Sequence, residues 1–335
     1  MDFLRKLLFP FSLLYGGVTA LRNLLYNIGI LQSKGYDVPI ICVGNLSTGG
    51  TGKSPMIELL VSFLESDYHL AILSRGYKRK TTGYREVSEN SSVAEVGDEP
   101  LQFKKKFPRV KVAVCEDRQT GIEQLRQSAD VILLDDAFQH RKVKASLNIL
   151  LTAFDSLFSD DYMLPSGNLR EPKCGMKRAH IIVVTKCPEN LSRSEMEIIK
   201  GKLKPKAGQE IYFSKIGYSS EIKNESGSKP LSYLRNQKFT LVTGIANPKP
   251  LVGFLKNEEM DFELHSFPDH HNFSDSEIEA LKKHPLILTT EKDFMRLQPL
   301  TAVTEIHYLP IRTVILYGAE NSFKTRIFLE LPKKK

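Results

Sequence analysis

A glycine-rich segment at residues 44–54, GNLSTGGTGKS, carries the clearest chemistry in the sequence. It follows an aliphatic run at 39–43 and precedes a helical pattern at 53–65. In a strand-loop-helix unit of this kind, backbone N–H groups turn inward on an anion, and the helix start adds its positive end. Lys53 can reach the β- and γ-phosphates of a nucleotide, and the Ser54 hydroxyl can ligate Mg²⁺. The segment therefore predicts a loop that binds nucleotide phosphates.

This loop differs at one position from the common pattern G-x-x-x-x-G-K-[ST]. Ser47 stands where the pattern has its first glycine, and three later glycines supply the flexibility instead. The order of the elements is kept, with a strand, the loop, a lysine, a hydroxyl residue and a helix. The segment is therefore still interpreted as a phosphate-binding loop. The residues expected to contact the nucleotide are Ser47, Thr48, Gly49, Gly50, Thr51, Gly52, Lys53 and Ser54.

Another buried strand is predicted further along the chain, at 131–134, and Asp135 follows it directly. Open α/β sheets bind ligands at the carboxyl ends of their strands, so Asp135 would lie close to the phosphate loop. Its carboxylate would hold Mg²⁺, directly or through water, together with Ser54. An aliphatic run that ends in aspartate is common by itself. The phosphate loop earlier in the chain is the reason to interpret Asp135 as a Mg²⁺ ligand.

Polar residues follow several other predicted strands at the same edge of the sheet. Each arginine among them, taken singly, is well explained as a surface charge, but together they favour clamping of phosphate. The residues expected to contact substrate or phosphate are Arg75, Gln139, His140, Arg170 and Glu171. Another connection, at 97–100, contains the acidic pair Asp98 and Glu99.

Two further motifs have competing interpretations. Thr185-Lys186-Cys187 is similar to the guanine-reading pattern N-K-x-D, but Pro188 stands where the aspartate is required, so GTP specificity is not supported. Asp269-His270-His271 lies in a polar loop, and two adjacent histidines point in different directions, which argues against a two-ligand metal site. One of these histidines can serve as a general base or orienter, or both can be exposed loop residues.

Short apolar strands alternate with helical patterns after residue 31. The alternation predicts an α/β fold of the P-loop NTPase type, with a mostly parallel sheet covered by helices on both faces. A polar stretch then separates this core from a second, smaller α/β series. The predicted parts are an apolar amphipathic segment at 1–31, the phosphate-loop core at 32–208, a linker at 209–238, a smaller α/β domain at 239–315, and a C-terminal helix and tail at 316–335 that can pack on the core.

The charge balance favours an anionic partner. There are 47 Lys and Arg residues against 39 Asp and Glu residues, which gives a formal charge of +8 and a pI near 9.1. Such a balance suits nucleic acid, a phosphorylated small molecule or an acidic membrane surface, but no motif supports nucleic acid. The 4 cysteines are dispersed without a C-x-x-C pair, which argues against a zinc site and indicates a reducing, cytoplasmic setting. No obligate protein partner is expected.

The first 31 residues are apolar and almost free of acid. Their longest uncharged run, at 7–21, has 15 residues, fewer than the roughly 20 that a spanning helix needs. Pro10 interrupts the run, and the pattern continues past a cleavage-like site, so a signal peptide is not expected. The apolar residues follow a 3.6-residue stripe beside Arg5 and Arg22. This amphipathic element can lie in a bilayer interface or pack on its own domain, and both arrangements are open.

Taken together, the motifs resemble those of the tetraacyldisaccharide 4′-kinases of lipid A biosynthesis. The resemblance extends over nearly the whole chain and rests on an ordered set: VGNLSTGGTGKSP (43–55), SRGY (74–77), GDEP (97–100), LDDAFQH (134–140), LREP (169–172), DHH (269–271) and TEKD (290–293). Two departures are small, since Ala137 stands where the family pattern has glycine and Ser54 where threonine is common.

The resemblance implies ATP- and Mg²⁺-dependent transfer of the γ-phosphoryl group to the 4′-hydroxyl of a tetraacylated glucosamine disaccharide 1-phosphate. It implies that Asp98 is the catalytic carboxylate near the acceptor hydroxyl, with His270 as its partner and Lys53 on the phosphates. Asp135 and Ser54 would serve Mg²⁺. Because an acceptor with four acyl chains stays in the membrane, it also implies peripheral attachment to the cytoplasmic face of the inner membrane.

A different class of function is also compatible with the phosphate loop. A switch-type P-loop NTPase hydrolyses nucleotide to drive a partner protein and has no acceptor substrate. That hypothesis accounts for Asp135 and for the positive charge, but not for the apolar first 31 residues or the later polar motifs. The two hypotheses differ in where the γ-phosphoryl group goes, which is lipid in one and water in the other.

Overall fold

The computed structural model describes Arg5, residues 7–269, His271, residues 273–297 and residues 304–332. These residues form two compact units. Unit 1 contains the described residues up to Ile216 and from Thr313 onward, and unit 2 contains those from Gly217 to Arg312. The chain thus leaves unit 1 and returns to it, so the second unit is an insertion in the first.

Strands and helices are numbered separately in chain order. The strands are β1 (Ile40–Asn45), β2 (Leu70–Ser74), β3 (Arg85–Glu86), β4 (Lys111–Val114), β5 (Val131–Asp135), β6 (Leu147–Ala153), β7 (Ile181–Thr185), β8 (Glu210–Tyr218), β9 (Glu221–Asn224), β10 (Gly227–Pro230), β11 (Phe239–Thr243), β12 (Phe262–Ser266), β13 (Leu286–Thr290), β14 (Glu305–Leu309) and β15 (Ile311–Ile315). The helices are α1 (Phe9–Asn27), α2 (Lys53–Leu64), α3 (Val93–Val96), α4 (Asp98–Lys106), α5 (Arg118–Leu125), α6 (Arg193–Leu203), α7 (Lys249–Asn257), α8 (Asp275–Leu281), α9 (Glu291–Phe294) and α10 (Glu320–Phe328).

Unit 1 is built on a sheet with the strand order β15-β8-β7-β6-β1-β5-β2-β4-β3. Strand β1 pairs in parallel with β5 on one side and with β6 on the other, and Val43 stands opposite Asp135. The parallel pairing continues outward to β2, β4, β7 and β8. The carboxyl ends of β1 and β5 are therefore neighbours, which brings the phosphate loop and Asp135 to the same edge.

Both faces of this sheet are covered by helices. Alternate residues of β1 enter two separate hydrophobic clusters, with Ile41 and Val43 in one and Ile40 and Cys42 in the other. Helices α2, α4 and α10 contribute to the first cluster, and α5 and α6 contribute to the second. The near-continuous aliphatic strands are explained by this double burial. The predicted fold class, a mostly parallel sheet between two layers of helices, is confirmed.

Unit 2 has its own sheet, in the order β10-β9-β14-β13-β11-β12, and its own hydrophobic core. Strands β11 to β14 are parallel, and β9 and β10 add an antiparallel hairpin at one edge. The segment predicted as a linker, 209–238, contains β8 and this hairpin. Its polar composition has a structural reason, because most side chains of the edge hairpin face solvent.

Helix α1 packs on unit 1 with its polar side. Ser12 and Asn23 are its buried residues, whereas its large apolar side chains are exposed. The exposed set, here called the apolar face of α1, is Phe9, Phe11, Leu13, Leu14, Val18, Leu21 and Leu24. The helix therefore does pack on its own domain, as in one of the two arrangements considered, but through its polar side and not through its apolar stripe. Among the described residues, no helix combines the length and the apolarity needed to cross a bilayer.

Candidate active site

The phosphate loop begins where the fully buried strand β1 ends. Gly44 is required there, because a Cβ at this position would lie 2.6 Å from the Cβ of Phe138. Asn45 Nδ2 donates to the Thr51 hydroxyl at 2.9 Å, and the Thr48 amide donates to the Asn168 carbonyl at 2.7 Å. These two hydrogen bonds fix the loop at both of its sides.

Helix α2 starts directly after this loop, without a side-chain cap. Its N-cap residue, Gly52, has a φ of 83°, in the left-handed region that favours glycine. Towards the described residues, the amides of Gly50, Gly52 and Lys53 make no hydrogen bond to a backbone acceptor. The first amides of a helix need an external acceptor. Uncapped amides at a helix start and a lysine beside them form a site for an anion.

A second strand end holds the loop from the side. The Thr185 hydroxyl at the end of β7 donates to the Thr51 carbonyl at 2.8 Å, and Lys186 Nζ donates to the Gly50 carbonyl. The Thr-Lys-Cys motif, which lacks the aspartate for guanine, therefore has a role in shaping the phosphate loop. The place of this motif at the end of a strand is the signal in the sequence that agrees with this role.

Lys53 and Arg170 meet at Asp136. Lys53 Nζ lies 3.8 Å from Asp136 Oδ2, and Arg170 donates from both terminal nitrogens to that carboxylate, at 2.7 and 3.2 Å. Arg170 also donates to the side chain and the carbonyl of Asn45. Burial opposes ionisation of Asp136, but Lys53 and Arg170 outweigh it and lower its pKa below the ordinary value. Asp136 is a charged anchor that aligns both cations at the loop.

Asp135 has the opposite electrostatic character. Burial, with Glu99 and Asp136 as negative neighbours, raises the pKa of Asp135 well above its ordinary range. Ser74 donates to its Oδ2 at 3.0 Å, while its buried Oδ1 has no hydrogen-bond partner within the described structure. A cation at Oδ1 would satisfy this oxygen and favour the ionised form. The donor chemistry therefore fits the predicted Mg²⁺ ligand.

The remaining ligands of such a cation have to come from elsewhere. Throughout the described ranges, no group of three or more His, Cys, Asp or Glu side chains is arranged to hold a metal. Mg²⁺ commonly uses one or two protein oxygens and takes its other ligands from phosphates and water. Ser54, the other predicted ligand, donates to Glu99 Oε1 at 3.4 Å at the start of α2. A metal held by these residues would depend on bound nucleotide.

Arg118 is a residue of the site that the sequence did not predict. It is almost fully buried in the first turn of α5 and donates to the carbonyls of Cys115 and Asp135, at 2.6 and 3.3 Å. Burial lowers the pKa of this guanidinium, and the two aspartates oppose that effect. An arginine in a helical pattern usually indicates a solvated surface, so nothing in the sequence pointed to its position below the carboxylate pair.

The acidic motif at 97–100 starts helix α4. Asp98 and Glu99 lie half-buried in its first turn. The preceding Gly97 lies close to the loop that follows strand β2, since a Cβ at Gly97 would lie 3.1 Å from the Tyr77 carbonyl. Arg75 of that loop is exposed. The structure thus brings the motifs at 74–77 and 97–100 together, close to Ser54 through Glu99.

Glu171 and Gln139 form a buried network next to the loop. Gln139 Nε2 donates to the Asn45 carbonyl at 2.7 Å and to Glu171 at 2.9 Å. Arg178 donates to both Glu171 oxygens, at 2.7 and 2.8 Å. Glu171 is only 2% exposed and is bonded to protein donors, so it supports the site, and its predicted contact with substrate or phosphate stays a prediction. Burial lowers the pKa of His140 to about 4, so this side chain is neutral near pH 7.

His270 lies outside the described residues, and its predicted role stays a prediction. The neighbouring His271 is paired with Glu277, with 3.0 Å between Nε2 and the carboxylate. The later motif at 290–293 is structural within unit 2. Thr290 caps α9, and the buried Asp293 accepts a hydrogen bond from the Gly244 amide at 2.8 Å.

A family model described as tetraacyldisaccharide-1-P 4′-kinase matches residues 4–330. The chain belongs to this family. The match includes the phosphate loop and both units, and it confirms the family resemblance inferred from the ordered motifs.

Individual relatives agree with that assignment. A tetraacyldisaccharide 4′-kinase of Flavobacterium johnsoniae is 48% identical over 327 residues, covering 96% of each chain. One of Bacteroides thetaiotaomicron is 44% identical over 351 residues, covering 97% of this chain and 92% of the relative. The crystal structure of an "apo" form of LpxK from Aquifex aeolicus in complex with ATP superposes with a TM-score of 0.80 at 33% identity, covering 98% of this chain and all of that one.

We expect Lys186→Met to weaken ATP binding about tenfold, because a charged hydrogen bond that holds the Gly50 carbonyl is lost. Isothermal titration calorimetry with and without Mg²⁺ measures the dissociation constant. Lys200→Met is the matched control, since Lys200 pairs with Glu197 on the surface of α6. Equal affinity of both variants for ATP would contradict a role of Lys186 in shaping the loop.

Proposed function

We propose that this protein transfers the γ-phosphoryl group of ATP to the 4′-hydroxyl of a tetraacyldisaccharide 1-phosphate, in the biosynthesis of lipid A. The observation that carries the proposal is the family match over residues 4–330, together with an intact phosphate loop and helix start. Relatives over nearly the full length bear the same enzyme name. The related structure from Aquifex aeolicus holds ATP, which supports ATP as the donor here.

The phosphate loop would bind the β- and γ-phosphates through its free amides and Lys53. Arg170, aligned by Asp136, lies on the same edge and would compensate charge that develops on the transferred group. Asp135 and Ser54 would hold Mg²⁺. The chemistry that Mg²⁺ supplies when bound is neutralisation of charge on the phosphate oxygens. The protein's part is largely positioning and charge compensation.

Asp98 is the proposed proton acceptor. As the acceptor oxygen bonds to the γ-phosphorus and the bond from phosphorus to the β–γ bridging oxygen breaks, the hydroxyl proton would pass to the Asp98 carboxylate and ADP would leave. Its place in the first turn of α4, one residue from Glu99 that contacts Ser54, supports this role. His270 is proposed as its partner on the family motif alone.

The apolar face of α1 supports attachment to the inner membrane from the cytoplasmic side. Leu14 and Val18, one turn apart, are 69% and 61% exposed. Exposed apolar patches of this extent mark interaction sites, and a lipid acceptor requires the enzyme to reach the bilayer interface. Tyr162, half-exposed, packs edge-on against Phe9 and extends the face beyond the helix.

The transfer itself is tested with γ-labelled ATP and the disaccharide lipid dispersed in detergent. We expect the label to appear in the lipid, because the proposed reaction delivers the γ-phosphoryl group to its hydroxyl. Thin-layer chromatography separates labelled lipid from free phosphate. Release of label only as free phosphate, at a rate that lipid does not change, would favour the switch-type NTPase instead.

We expect Asp98→Asn to lower the turnover number by about 10² to 10⁴, the range of a general base, while ATP affinity stays unchanged. Steady-state transfer and calorimetric ATP binding are measured on the same preparation. Asp37→Asn is the control, because Asp37 is exposed and precedes the amino end of β1. Normal turnover of Asp98→Asn would remove this residue from the mechanism.

We expect Leu14→Gln combined with Val18→Gln to weaken binding to anionic vesicles by at least about tenfold, because two apolar side chains no longer enter the interface. Flotation with vesicles of phosphatidylglycerol and phosphatidylethanolamine measures the bound fraction. Ile198→Gln is the control, since Ile198 is an exposed apolar residue of α6. Undiminished binding of the double variant would show that α1 does not dock on lipid.

A further inference from the structure

The side of α1 that faces unit 1 contacts the segments that carry site residues. Four residues form this polar face of α1: Ser12, Tyr15, Arg22 and Asn23. Each of them makes a hydrogen bond that leaves the helix, and these bonds join this side of α1 to the rest of unit 1. Attachment to a membrane would require only the opposite, apolar face.

Two of these bonds reach the segment around Arg170. The Tyr15 hydroxyl donates to the Arg170 carbonyl at 2.9 Å, and Asn23 Nδ2 donates to Glu171 Oε2 at 2.9 Å. Further along, the Ser12 hydroxyl accepts from the Ser166 amide at 3.0 Å. The backbone that presents Arg170 to the phosphate loop is thus bonded to the helix.

The same helix also reaches the segment that follows the aspartate pair. Arg22 donates to the Gln139 carbonyl at 2.8 Å, and Arg141 donates back to the Asn23 carbonyl at 2.7 Å. Gln139 is the residue whose side chain donates to the Asn45 carbonyl at the end of β1. Both segments that flank the phosphate loop are therefore held by α1.

Asn23 occupies the central place in this arrangement. It is 7% exposed, and the chain of hydrogen bonds runs from Asn23 to Glu171, then through Gln139 to the Asn45 carbonyl. Glu171 Oε1 receives donors from Gln139 and Arg178, and Oε2 receives donors from Arg178 and Asn23. Removal of Asn23 would leave one oxygen of a buried carboxylate short of a donor, which permits the carboxylate to turn.

We propose that Asn23 is a positioning residue for phosphoryl transfer. Through Glu171 it fixes Gln139 and the adjacent Arg170 against the phosphate loop, so α1 serves the active site as well as the membrane. The inference rests on the proposed kinase function. It assigns to the two faces of one helix two separable tasks, lipid attachment for the apolar face and alignment of the site for the polar face.

The test uses the full-length protein and lipid substrate dispersed in detergent, which separates catalysis from membrane docking. Asn23→Leu removes the donor at similar volume, and we expect its turnover number to fall about tenfold, with unchanged KM for the lipid. Vesicle binding should equal that of the wild type. A circular dichroism melt shows whether the variant is folded.

A second variant distinguishes alignment from packing. Asn23→Asp keeps the shape, and the introduced carboxyl group can donate to Glu171 only when protonated. The charged groups around it are Glu171, Arg178, Arg22 and Arg141. Relative to wild type at each pH, we expect Asn23→Asp to be strongly impaired at high pH and to recover as the pH falls, because protonation of the introduced carboxyl group restores a donor to Glu171. Asn23→Leu should show no such recovery.

Asn27→Leu is the matched control on the same helix, because Asn27 contacts Arg141 and not Glu171, and its turnover should be unchanged. A folded Asn23→Leu variant with wild-type turnover, or an Asn23→Asp variant without recovery at low pH, would overturn the inference. If Asn23→Leu does not fold, the pH comparison of Asn23→Asp decides alone. Absence of lipid labelling by the wild type itself would overturn the proposed function instead.

Discussion

The arrangement of unit 1 depends on the uncapped start of helix α2. The helix begins directly after the loop that follows the central strand β1, and Gly52 provides the left-handed backbone that turns the chain into the helix. Amide donors at a helix start that find no acceptor in the protein favour an anion at that position. The side chains around it, Lys53, Arg170 and Lys186, are each fastened to a partner that keeps them at the loop.

The two adjacent aspartates have opposite pKa shifts, although their side chains are chemically identical. Asp136 meets two cations and is held ionised, whereas Asp135 is buried among negative neighbours with one oxygen unsatisfied. The first is suited to align cationic side chains, and the second to receive a metal ion. The strand register that sets Val43 opposite Asp135 places this pair beside the loop, so the electrostatics follow from the order of strands.

Much of this site is readable from the sequence, because its residues follow buried strands in order. The phosphate loop, Asp135 and the fold class could be predicted on that basis. Arg118 could not, since a helical arginine gives no sign of burial. The orientation of α1 could not either: periodicity locates an apolar stripe but does not say which side packs, and here Asn23 is buried while Leu14 is exposed. The support role of Glu171 depends on partners distant in the chain, Asn23 and Gln139.

The return of the chain to unit 1 after residue 312 has a consequence for biosynthesis. Phe323 and Ile327 of α10 are fully buried in the same cluster as residues of β1 and α2, and Phe323 packs against Phe63 and Tyr212. During translation, unit 1 therefore lacks part of its core until residues 313–332 have left the ribosome. The inserted unit is continuous in sequence and is synthesised completely before that moment. Unit 2 therefore has its complete sequence before unit 1 does, although unit 1 begins first.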